Sequence, residues 1–89
     1  MKFYLYKNSS GNYNISYPSE YFKSRQRCEH SGSLQYLQEQ IQADILQTQG
    51  ILNDSLACLV FSSEELQNLQ KDIEIMQRTI KYIEGKKVA

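Results

Sequence analysis

Apolar and polar positions alternate at the start of the chain. Phe3 and Leu5 fall on one side and Tyr4 and Tyr6 on the other, a period of two that predicts a strand. After "NSSGN" a second alternation sets Tyr13, Ile15 and Tyr17 against Asn14 and Ser16. Two such runs joined by turn-forming residues, Gly11 among them, predict a β-hairpin over residues 1–18. Pro18 ends the second strand because it has no N–H for a ladder. A lone hairpin is marginal in water, so it must rest on another layer.

From Ser33 the period changes. Leu34, Leu37, Ile41, Ile45, Thr48, Leu52, Leu56 and Leu59 recur at intervals of 3, 4, 4, 3, 4, 4 and 3, one stripe of an eleven-residue repeat. The spacing predicts a helix over 33–60. Gly50 lies within it, and an interior glycine costs about 1 kcal/mol against alanine. The reading favours one long helix with a weak point there over a break restarted at Asn53 or Asp54.

"FSSEELQ" then carries a helix start, with Ser62 and Glu65 spaced as a capping box. Leu66, Leu69, Ile73, Met76, Ile80 and Ile83 follow at intervals of 3, 4, 3, 4 and 3, a heptad seam over a second helix at 63–84. Gly85 is read as its stop, followed by Lys86 and Lys87 at the negative end of the dipole. At 1.5 Å per residue the two helices span roughly 40 and 33 Å, and the short turn around Phe61 makes them antiparallel neighbours in a helical hairpin or short coiled coil. The expected fold is α+β and mostly α: a two-stranded β-hairpin packed on a long antiparallel helical hairpin, with residues 19–32 as a connector and 1–89 as one domain.

Composition narrows the function classes. The hydrophobic fraction of 40% is ordinary for a folded chain, and no apolar run approaches the roughly 18 residues of a membrane span. The opening "MKFYLYKNSSG" has too short an apolar run for a signal segment, so the expectation is a cytoplasmic protein with no membrane association. Cys28 and Cys58 are then expected as reduced thiols, with Cys58 on the helical face and the less reactive of the two. His30 is the sole histidine. It stands two residues from Cys28 in a polar segment, a surface residue and not half of a catalytic dyad. No paired metal-ligand motif, phosphate loop or dinucleotide fingerprint occurs, so neither enzyme activity nor a metal or cofactor is expected. Asp72, Glu74 and Glu84 alternate with Lys71, Arg78 and Lys81, a solvated face by this reading.

Net charge is zero but unevenly spread. Residues 1–32 hold Lys2, Lys7, Lys23, Arg25 and Arg27 against Glu20 and Glu29, whereas five basic and eight acidic side chains follow. The stretch "YPSEYFKSRQRCEH" combines aromatic faces with positive charge. Tyr17, Tyr21, Phe22, Lys23, Arg25 and Arg27 are therefore the candidate partner-binding residues, joined by Tyr4 and Tyr6 where that strand face is open. The expected function is a small non-enzymatic interaction module, an adaptor or inhibitor of the kind phages and mobile elements carry, acting on an unidentified protein partner. The alternative is a nucleic-acid-binding accessory protein using the same aromatic and basic residues for stacking and phosphate contact. Ile75, Thr79 and Tyr82 form a second stripe that one helical partner cannot cover. The N-terminal hairpin could cover it with Phe3 and Leu5, or a second copy of the chain could, and the thin core of so short a chain favours the homodimer.

Overall fold

In a computed structural model of the chain, residues 4–21 and 27–88 are described. They form strands β1 (Tyr4–Lys7), β2 (Tyr13–Pro18) and β3 (Arg27–Gly32), then helices α1 (Leu34–Asn53), α2 (Ala57–Val60) and α3 (Ser63–Val88). The architecture is α+β, with one antiparallel sheet of order β1-β2-β3 packed on the helices.

The hairpin forms where the alternation placed it. Leu5 pairs with Ile15 and Lys7 with Tyr13, so Leu5 and Ile15 turn toward the helices while Tyr4 and Tyr6 face outward. Asn8 organises the loop: its Oδ1 accepts from the N–H groups of Ser10 and Asn12 at 3.0 and 3.1 Å. Gly11 adopts φ 88°, a conformation that favours glycine.

The expected two-stranded hairpin is corrected to three strands. Arg27–Gly32, read as connector, pairs along the free edge of β2 in the register Tyr13↔Gly32, Ile15↔His30 and Tyr17↔Cys28. Pro18 ends β2 opposite Arg27. His30 is accordingly not a loop residue but lies on the inner face beside Ile15.

The helical hairpin differs in its first arm. α1 starts under a Ser33 cap, whose Oγ accepts from the Tyr36 N–H at 3.1 Å. It passes unbroken through Gly50, at which an added Cβ would meet open space, and stops at Asn53. Asp54 turns to extended geometry (φ −72°, ψ 123°), and its carboxylate accepts from the Leu56 N–H at 2.9 Å. A short polar side chain that hydrogen-bonds the backbone two residues on competes with the helix, and at Asp54 it prevails. The stripe therefore holds for Leu37, Ile41 and Ile45 and is lost beyond Leu52. Leu56 and Leu59, expected on it, are exposed. Cys58 is exposed as well, which corrects its expected burial. The native protein should label at Cys58 with a thiol reagent as fast as the denatured chain does; marked protection would contradict this placement.

α3 keeps its seam: Leu69, Ile73, Met76 and Ile83 are buried. The capping box forms in both directions, Glu65 N–H to Ser62 Oγ at 3.1 Å and Ser62 N–H to Glu65 Oε1 at 3.0 Å. Gly85 does not stop the helix, which continues to Val88; a single interior glycine costs only about 1 kcal/mol.

The core lies between the layers, with Ile15 and Tyr17 from β2 meeting Leu37, Ile41 and Ile45 of α1 and Ile73, Ile75, Met76 and Ile83 of α3. The described part of the molecule is elongated, 45 × 23 × 19 Å. Among the described residues no helix is long and apolar enough to cross a membrane.

Candidate functional site

The candidate residues separate into three groups. Tyr17 belongs to the core. Only 1% exposed, it donates its hydroxyl to Asp44 Oδ2 at 3.1 Å, which corrects its expected place on a partner surface. Alternation on β2 is the reason, since Tyr17 shares the inward phase of Ile15. Phe22, Lys23 and Arg25 lie outside the described residues, as does the side chain of Arg27. Tyr21 is half-buried, its ring set edge-on against Phe61 with centroids 6.1 Å apart and planes at 66°.

Asp44 ties the sheet to α1. His30 Nε2 lies 3.0 Å from the same Oδ2 that Tyr17 contacts, and the Tyr17 and His30 rings are 6.3 Å apart. The group locks β3 onto α1. Among the described residues no cluster of three or more His, Cys, Asp or Glu side chains could hold a metal ion.

The stripe expected to pair two chains is already covered within one. Ile75 and Thr79 are buried, with Ile75 in the core shared with β2, and the Thr79 hydroxyl donates to the Ile75 carbonyl at 2.8 Å. These two positions are corrected from a self-association surface to core. Tyr82 remains on the surface, with Lys86 Nζ 5.4 Å from its ring centroid.

Asp72 shares this inward side and is not part of a solvated face. Its carboxylate is buried and accepts from the Ser19 hydroxyl and the Glu20 N–H, both at 2.6 Å, and from the Tyr21 N–H at 3.3 Å. It thereby fixes the chain leaving β2 against α3 and aims Tyr21 at Phe61.

That contact leads to the largest apolar exposure among the described residues. Between the long helices, Leu56, Leu59 and Val60 are 60, 78 and 74% exposed. Large apolar side chains scattered singly on a surface are ordinary, but three packed into five residues form a patch that marks contact with another molecule. Local geometry produces it. Asp54 breaks the helix, the four residues of α2 turn Ala57 inward, and the apolar side chains around Ala57 are left exposed. The signal present in sequence was "CLVF", a continuous apolar run that no single helical stripe can bury.

Asp54 precedes the patch and Glu64 and Glu65 follow it, and between Arg27 and Lys71 the chain has six carboxylates and no lysine or arginine. Known protein families, curated proteins and solved structures were compared with the chain, and none matches it.

Proposed function

We propose that the protein is a small non-enzymatic interaction module that acts by occupying another protein, as an adaptor or inhibitor, through the surface at the interhelical turn. The observation that carries this reading is the exposure of Leu56, Leu59 and Val60 side by side, since a chain of this size leaves such a group uncovered at a cost in solubility. Tyr21, held by Asp72 and packed on Phe61, extends the surface toward the aromatic and basic segment singled out in the sequence. The exposed free thiol of Cys58 fits the reducing cytoplasm.

The nucleic-acid alternative draws on Tyr4 and Tyr6, exposed on the outer face of the sheet. That face is less suited to phosphate. Asn14 donates to the Tyr6 hydroxyl at 3.2 Å and accepts from the Ser31 hydroxyl at 2.7 Å, and the exposed Glu29 adds negative charge.

The test compares the protein with a Leu59→Ser, Val60→Ser double variant in affinity capture from cells that produce it. These side chains contribute little to folding, so the melting temperature should change by no more than about 3 °C. Partners held by the native chain should be lost by the variant. Identical retention by a folded variant would refute the reading, and retention of RNA or DNA falling steeply with salt would favour the alternative.

A further inference from the structure

We propose that the outer face of the sheet holds a binding site for a neutral saccharide, taken as a single pyranose ring. The proposal is independent of the reading of the interhelical turn, because it draws on none of the residues there.

Register builds the site. Residues paired across antiparallel strands share a face, so the pairs Tyr6↔Asn14 and Asn14↔Ser31 set one row across the sheet, and Ser16↔Glu29 lies in the next. These five side chains line a shallow cavity of about 190 Å³, floored by the strand segments 14–16 and 29–31. The first row is fixed in advance. Asn14 donates to the Tyr6 hydroxyl at 3.2 Å and accepts from the Asn8 amide and the Ser31 hydroxyl at 3.1 and 2.7 Å. Its amide thus holds Tyr6 and Ser31 without a ligand, the preorganisation that a binding site needs. The second row is open: Ser16 and Glu29 engage no other side chain among the described residues.

The groups on offer select the ligand. The ring of Tyr6, a residue 58% exposed, is a flat apolar surface. Its hydroxyl accepts from Asn14 and keeps its own hydrogen to donate, whereas Ser31 has given its hydrogen to Asn14 and can only accept. Glu29 is exposed and its carboxylate only accepts, while the Ser16 hydroxyl can do both. A pyranose answers this set. Its C–H face covers the ring, and its adjacent hydroxyls, each both donor and acceptor, satisfy carboxylate, serine and phenol together. An anionic ligand would meet the like charge of Glu29. A cation would suit Glu29 but leave the phenol and amide donors without a partner. The cavity is smaller than the roughly 300–1,000 Å³ of drug-sized sites, which limits the occupant to one ring.

The experiment uses the full chain, isotope-labelled for amide NMR, and titrates it with the methyl glycosides of glucose, galactose and mannose. At least one should shift the amides of residues 14–16 and 29–31 saturably, with a Kd in the millimolar range and no dependence on salt, since the ligand carries no charge. Tyr6→Ala and Glu29→Gln should each weaken that glycoside at least about tenfold. Both side chains are exposed, so each variant should melt within about 3 °C of the native chain. No saturable shift of these amides by any of the three glycosides would overturn the proposal. Undiminished binding by both folded variants would do the same. So would saturable shifts of the same amides by methylammonium or adenosine with no response to the glycosides, which would assign the cavity to a cation or to a stacked base.

Discussion

Asp72→Ala is expected to destabilise the protein by about 2–4 kcal/mol, because the carboxylate accepts three hydrogen bonds in a buried setting and hydrogen bonds to charged groups are each worth roughly 1.5–3 kcal/mol. Alanine's better helix propensity returns only a few tenths of a kcal/mol. Against a total of roughly 4–13 kcal/mol for a chain of this length, the loss is large. Asp72→Asn should cost less. Its amide oxygen still accepts from the Glu20 N–H and its NH₂ can donate to the Ser19 hydroxyl, leaving mainly the Tyr21 N–H opposed. Urea melts of the two variants test the order. Equal, small losses would mean that residues 19–21 do not depend on α3 for their position.

Ile73→Ala should cost about 2–5 kcal/mol, as a large-to-small change in a core where the side chain is 4% exposed. Leu56→Ala should stay within about 0.5 kcal/mol, since that side chain is 60% exposed. Periodicity alone puts both in the middle of a stripe and makes them equals. The break at Asp54 is what separates them, so the pair tests that break directly. Matching losses in denaturant melts would show that the first helix continues past Asn53 and buries Leu56.

The features that could be read along the chain were those encoded in a repeat or a local hydrogen-bonding signature. The β1–β2 alternation, the seam of α3 and the Ser62–Glu65 box each need only neighbouring residues. β3 was hidden because "RCEHSG" has no apolar phase. Opposite Tyr13, Ile15 and Tyr17 it places a glycine, a histidine and a cysteine, and His30 is held by a contact with Asp44 fourteen residues away. Asp72 escapes the pattern for a related reason. An acidic residue among Lys71 and Glu74 looks solvated until the donors from Ser19 to Tyr21 are brought to it across the fold. The turn followed a local rule that was outweighed: Asp54 stops the helix by binding the Leu56 amide, whereas the glycine four residues earlier does not.

α3 is the last of the elements along the chain, yet it supplies one wall for both β2 and α1. During synthesis, the sheet and first helix emerge before the surface that closes over them exists. At roughly 5–20 residues per second, the 26 residues of α3 take about 1–5 s to make. For that interval Ile15, Tyr17, Leu37, Ile41 and Ile45 have only one another for cover. Helix formation itself takes about a microsecond, so completion of the core is timed by translation of its last element. The nascent chain is most exposed to aggregation, or to capture by a chaperone, just before residues 63–88 are released.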